Sequence, residues 1–291
     1  MNLRRERSRK IWPYVLVDVN TQRDFLDSEG ACPIANREMV VPMLRRVVAW
    51  AKRNHIPVIS TVDCHRPCEV RYKPLPQHCV DGSHGQEKLD CTLFGSYVKV
   101  ESDNTLSVPA DLFRRHQQAI FRKRTTDFFL NPKADRFVTQ LPAEHYVVTG
   151  VSLEGSVKSI VLGLIARHRS VTVVVDSCGY FDPSESDLAL RLMEAKGVEM
   201  ISAADLATRK PPLVVRYPHL AIGQVCLRNG LYASITSLAH RNGTNGRNGS
   251  NGKHHVHSNR DGDYPTHAEE PLEINSCGQS GDQDDSEDGD D

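Results

Sequence analysis

The chain has 291 residues, of which 39% are hydrophobic and 25% charged, with a formal net charge of −1. That is enough length for one large core or two small ones, and no apolar run reaches the roughly 18 residues that span a bilayer, so no membrane partner is expected. The net charge conceals an asymmetry: residues 259–291 hold twelve acids against one arginine, a net of −11, so the rest of the chain carries +10. The basic residues of the body are spread out without aromatic interleaving, which disfavours nucleic-acid binding. The basic start MNLRRERSRK is not followed by a signal-type apolar core and cleavage site, and a cytoplasmic location is expected. The eight cysteines are scattered and read as free thiols in a reducing compartment rather than as a disulfide framework.

In chain order, residues 14–19 form the first apolar run and read as a strand. Residues 38–54 follow as an amphipathic helix, with Val41, Leu44, Val47, Val48 and Ala51 on one stripe. A second strand falls at 57–61. The segment 62–117 is long, irregular and rich in Pro, His and Cys, the composition of a functional loop rather than of a regular element. Strands follow at 118–122, 145–149 and 171–176, with a short sixth at 198–201. Residues 155–168 place Val157, Ile160, Val161 and Leu164 on a helical stripe, and a further helix at 185–196 enters through Asp182-Pro183-Ser184. The strands are apolar on both faces, as in a parallel sheet covered on both sides. The alternation predicts an α/β, doubly wound sheet within a domain of residues 1–237, with its core at about 13–207. From 238 the chain becomes NGTNGRNGSNGK and then GDQDDSEDGDD, a composition that cannot bury enough apolar surface to order itself and is read as a disordered tail.

Three places could carry chemistry. The first ends the opening strand, where Asp18 and Asn20 share a face about 7 Å apart and Asn20 stands nearer the tip, the end where ligands of open parallel sheets sit. The plain alternative is that Asp18 or Asp24 only pins the following loop. The second is Asp63, His65 and His78. Asp63 and His65 share strand parity, and His78 can return from the loop; one carboxylate and two imidazoles suit zinc, iron or manganese. The rival set is Cys64, Cys68 and Cys79 as a thiolate site. The third is Gly150-Val151-Ser152-Leu153-Glu154-Gly155-Ser156, a strand running through a turn into a helix start, whose N–H groups can hold an anion or a developing oxyanion. There the alternative is that Ser152 caps the helix and Ser156 is merely small. Lys123 ends the strand before.

Taken in order, Asn20-Thr21-Gln22-Arg23-Asp24-Phe25, Thr61-Val62-Asp63-Cys64-His65, Pro76-Gln77-His78-Cys79-Val80, Lys123 with Phe129, and Gly150-Val151 resemble the isochorismatase-like cysteine hydrolases, nicotinamidases in particular. The resemblance covers roughly 13–207. It implies a six-stranded parallel sheet with helices on both faces, a metal held by Asp63, His65 and His78, no nucleotide cofactor, and amide hydrolysis by an Asp, Lys and Cys triad. Two triad positions depart from the family pattern: the base falls on Asn20 and the nucleophile on Ser156, leaving Lys123, with Asp18 as a substitute base. Phe25, Leu75, Val151 and Ser152 fall at substrate-binding positions; Leu75 stands where nicotinamidases carry an aromatic, and Leu153 where the family carries Thr. Asn accepts no proton at neutral pH, and a serine hydroxyl is a poor nucleophile without a base. Three functions remain open: a family member of reduced or altered activity that binds a small molecule, an active hydrolase using Ser156 or metal-bound water, and a scaffolding homo-oligomer.

Overall fold

The computed structural model describes residues 11–68, 75–103, 108–109, 111–211, 224–226 and 232–234. The chain divides into two units, Met1–His219 and Leu220–Asp291. In the second, Gln224–Cys226 and Tyr232–Ser234 pair as an antiparallel ribbon. The tail expected from residue 238 lies outside the described residues.

The first unit is built on a seven-stranded, wholly parallel sheet. Its strands are β1 (Trp12–Val19), β2 (Val58–Asp63), β3 (Tyr97–Val100), β4 (Gln118–Lys123), β5 (Ala143–Val151), β6 (Ser170–Gly179) and β7 (Glu199–Ile201), in the spatial order β3-β4-β2-β1-β5-β6-β7. The expectation of six strands is thus corrected to seven. The extra one, Tyr97–Val100, lies inside the segment taken as irregular. It is a four-residue edge strand with mostly unburied side chains, so it lacks the two-faced apolar run that marks the central strands, and Lys99 on it is the kind of charge that blunts an exposed edge.

The helices cover both faces. On one side lie α2 (Arg37–Arg53) and α7 (Ala203–Thr208), which pack Val47, Val48, Trp50, Ala51, Ala203 and Leu206 on Leu16, Val58, Val147 and Val174 of the sheet. On the other lie α4 (Pro132–Gln140), α5 (Lys158–Ala166) and α6 (Pro183–Ala195). They press Phe137, Val138, Ile160, Val161, Leu164 and Met193 on Val15, Val17, Val19 and Val148. Odd and even residues of β1 feed opposite cores, which is why the strand is apolar on both faces apart from Asp18. The buried stripe of α2 is Val40, Leu44, Val47, Val48, Trp50 and Ala51, while Val41 is only half-buried. Among the described residues no helix is long and apolar enough to cross a membrane.

This order also locates a crevice. From β1 the chain fills β2, β3 and β4 on one side, with β4 set between β2 and β3, and later β5, β6 and β7 on the other. The connections diverge at β1, and ligands of open parallel sheets sit beyond the carboxyl ends of strands at such a point.

Candidate active site

A cavity of about 290 Å³ opens at that end, lined by Asn20, Phe25, Asp63, His65, Leu75, His78, Arg124, Thr125, Thr126, Ser152, Ser156 and Phe181. Each polar group is delivered by a strand end. Asn20 is the first residue beyond β1, with φ at +48°, a left-handed conformation that Asn adopts more readily than most residues. Its N–H bonds the Thr61 carbonyl at 3.0 Å, extending the ladder by one step. Asp63 ends β2, Lys123 ends β4, and the two are direct neighbours in register. Near the end of β5, Gly150 turns the chain with φ at +123°, where a side chain would meet the Val19 carbonyl oxygen at 2.0 Å. A single wide turn over Leu153–Val157 then carries Ser156 to the head of α5.

Asn20, Lys123 and Ser156 meet. The Asn20 amide nitrogen donates to Ser156 Oγ at 3.2 Å, and Lys123 Nζ donates to the same oxygen at 3.1 Å and to the Thr125 carbonyl at 3.0 Å. The amide orientation is set by its partners: Nδ2 also donates to Asp63 Oδ2 at 2.7 Å, and Oδ1 accepts from Thr61 Oγ1 at 2.8 Å. A carboxylate only accepts, so the nitrogen must face Asp63. Lys123 forms a tight ion pair with the other Asp63 oxygen, both groups being nearly buried. Asp63 itself is held by Gln22, whose side-chain amide accepts from the Asp63 N–H at 2.7 Å and donates to its carbonyl at 2.8 Å.

Asp18 lies apart from this cluster. It is 1% exposed and pairs with Lys88 at 2.7 Å, while Thr21 and Ser60 hydroxyls donate to it at 2.8 and 2.9 Å. Its carboxylate is tied to Lys88 in the connection between β2 and β3 and to the two hydroxyls, and Ser156 is not among its partners. Asp24 likewise pins a loop, accepting from the N–H groups of Cys79 at 2.6 Å and Ala31 at 3.0 Å. Ser152 makes no side-chain cap; its carbonyl accepts from Gly155 and Val157 instead. Val151 is fully buried in the apolar cluster with Phe25 and Cys79, beneath the cavity rather than in its wall.

The three residues read as metal ligands all line the cavity, and the His65 and His78 rings lie 5.2 Å apart, edge to face. His78 also packs on Phe25, with ring centroids 5.2 Å apart. The donor set does not fit an ion as it stands. Asp63 holds Asn20 with one carboxylate oxygen and Lys123 with the other, and among the described residues no group of three His, Cys, Asp or Glu side chains is arranged to hold a metal. The rival thiolate set is dispersed too: Cys64 is turned to the Arg122 guanidinium, Cys79 is buried and Cys68 exposed. Nor is any of the buried thiols among the described residues poised as a thiolate. Burial pushes Cys32 up to about 11 and Cys178 up to about 12, and Cys79 is raised for the same reason.

The sequence reading omitted Phe181, Arg124, Thr125 and Thr126 from the site. The threonines and Arg124 directly follow Lys123, and proximity to that strand end was a usable signal. Phe181 follows β6 and meets Phe25 edge to face at 6.0 Å. Its signal was the strand end just before the Asp182-Pro183 helix entry.

A doubly wound parallel sheet with polar residues from four strand ends converging on one crevice defines a class of small-molecule site. The Isochorismatase domain profile matches residues 14–205, and the chain belongs to the isochorismatase family. Among solved structures it is similar to a pyrazinamidase of Pyrococcus horikoshii in complex with zinc, at 19% identity and TM-score 0.53 over 65% of this chain and 99% of that one. It is also similar to an isochorismatase-like hydrolase from Alkaliphilus metalliredigens, at 15% identity and TM-score 0.54 over 66% and 96%. A third is PnC1 from L. infantum in complex with nicotinate, at 17% identity and TM-score 0.53 over 67% and 96%. At these identities the likeness is one of fold. No curated protein sequence matches.

Proposed function

We propose that this chain uses the isochorismatase fold to bind a small molecule, and that its hydrolytic activity is reduced or absent. The observation that carries this is the hydrogen bonding of Ser156. Its Oγ accepts from the Asn20 amide nitrogen and from Lys123 Nζ. Neither donor, an amide N–H or an ion-paired ammonium, can take the hydroxyl proton, so the nucleophile position lacks a base. Asp63, the lining carboxylate, is engaged by Asn20 and Lys123. The Ser156 hydroxyl hydrogen is therefore left to donate to whatever occupies the cavity.

The cavity suits a small ring bearing a carboxylate or carboxamide. Its volume of about 290 Å³ lies at the lower end of the range for ligand pockets. Phe25, Leu75 and Phe181 supply apolar walls, and Ser156, Thr125, Thr126 and Arg124 supply polar groups. A neighbour of the same fold is in complex with nicotinate, which makes nicotinate and nicotinamide the first probes. No step of this reading passes through a metal.

The test pairs calorimetric binding with ammonia release. Wild type should bind one or both probes and release no ammonia from nicotinamide. Making Asn20→Asp and Ser156→Cys together should create a thiol that iodoacetamide alkylates at neutral pH faster than the other cysteines, and either change alone should do little, because nucleophile and base act as a unit. Wild-type turnover that Ser156→Ala abolishes would instead make the protein an active serine-dependent hydrolase.

A further inference from the structure

We infer that the amide at position 20 diverts Asp63 from metal binding: with no acid at Asn20, the buried Lys123 ammonium recruits Asp63 as its counter-ion, and the Asp63–His65–His78 set is thereby kept from holding a divalent ion. The inference concerns metal affinity alone and holds whether or not the pocket turns a substrate over.

Charge accounting leads there. The Lys123 side chain is 2% exposed, and a buried ammonium requires a paired anion, because the desolvation penalty is otherwise uncompensated. Asp63 is the carboxylate that lines the cavity, and cross-strand register sets it beside Lys123. Asn20 contributes an amide donor and no charge. Its Nδ2 takes the second Asp63 oxygen at 2.7 Å, so both oxygens are turned to these two residues. A dication on Asp63 would set three positive charges against one negative beside the buried Lys123, where such terms are poorly screened.

Two substitutions relieve the conflict by different routes. Asn20→Asp gives Lys123 a second carboxylate and returns Asp63 to the histidines. The left-handed backbone at this position is tolerated by Asp as by Asn, so the change is compatible with the fold. Lys123→Met removes the ammonium and leaves Asp63 in search of a cation. Each lowers the local charge by one unit. Asn20→Ala removes the amide donor without changing charge.

The experiment strips each protein with chelator and titrates zinc against a chromophoric competitor, with circular dichroism as the folding control. Asn20→Asp and Lys123→Met should each tighten zinc binding over wild type by about 10–100-fold, the scale at which groups that orient metal ligands act. Asn20→Ala should not, and adding His78→Ala should erase the gain. The inference is overturned if wild type binds zinc as tightly as the two charge variants. It is equally overturned if both variants, folded, bind as weakly as wild type, or if the gain survives His78→Ala. Should Asn20→Asp fail to fold, Lys123→Met decides alone. No substrate enters the assay, so the result leaves the small-molecule reading to stand or fall by its own test.

Discussion

Asp18 offers the sharpest separation between a working base and a structural anion. Its carboxylate is 1% exposed and meets Lys88, itself 6% exposed, at 2.7 Å. Asp18→Asn keeps the shape and removes the charge, stranding a buried ammonium that retains only the Thr21 hydroxyl, at 2.6 Å. Breaking a buried pair from one side costs about 3–5 kcal/mol, and for a domain of this size each kcal/mol moves the melting temperature by about 2–4 °C. Lys88→Met should cost somewhat less, because Thr21 and Ser60 still donate to the carboxylate. Combining the two changes, Asp18→Asn with Lys88→Met, removes the stranded charge altogether. It should be milder than the sum of the two single changes, giving a coupling above about 1 kcal/mol in a double-mutant cycle. Denaturant unfolding of the four proteins measures this directly. An Asp18→Asn protein within about 0.5 kcal/mol of wild type, or a coupling near zero, would refute the structural role. So would folded Asp18→Asn that has lost binding of the cavity's ligand, since that would make Asp18 part of the site.

Three further outcomes follow from the same geometry. Gln22→Leu strands the Asp63 N–H and should cost about 1–3 kcal/mol, together with a weaker ligand affinity by calorimetry, because Gln22 holds the strand end that carries Asp63. Gly150→Ala should destabilise by more than about 2 kcal/mol or fail to fold, since its Cβ would lie 2.0 Å from the Val19 carbonyl oxygen at a φ of +123°. Glu199 is held at about 2, against an ordinary 4.5, by hydrogen bonds from Arg209 and Thr172. A lowered carboxylate stabilises above its unfolded value, so the wild-type advantage over Glu199→Gln should be full above about pH 4.5 and fade toward pH 2 in acid melts. Glu199 is 47% exposed, which limits the effect to under about 1 kcal/mol.

The central strands were legible because two covered faces leave the same mark on sequence: Val15, Val17 and Val19 feed one core and Leu16 the other. The helices α2 and α5 were legible through their stripes, and α6 through its Asp182-Pro183-Ser184 entry. The edge strand Tyr97–Val100 left no such mark, since only Val100 of its four residues is buried. Helix α4 was missed although it has an Asn131 cap and Pro132 at its first turn; at nine residues, its buried stripe of Ala134, Phe137 and Val138 is too short to stand out as a period. Val151, set at a substrate-binding position by the resemblance, is buried in the apolar cluster with Phe25 and Cys79. Strand parity tells which face a side chain takes, but not whether that face meets ligand or core.

The pairing of Asp63 with Lys123 could not be read from sequence at all, and the reason is topological. The two residues are sixty positions apart and become neighbours only because β4 sits beside β2, with β3 outside it and β1 on β2's other flank. Motif comparison assigns Asp63 to a metal and Lys123 to a triad, as if the two sets were independent. The register makes them adjacent rungs of one ladder, so the anion beside Lys123 is the same Asp63 that motif comparison sets aside for a metal. Asn20 keeps bonds to Thr61, Asp63 and Ser156, and Lys123 keeps an anion. The buried side-chain polar atoms of Asn20, Asp63 and Lys123 are thus satisfied within the protein, which is the condition for polar groups to persist in a core. In that internally completed cluster Ser156 Oγ accepts from both Asn20 and Lys123, which is the arrangement from which we propose small-molecule binding with little or no hydrolysis.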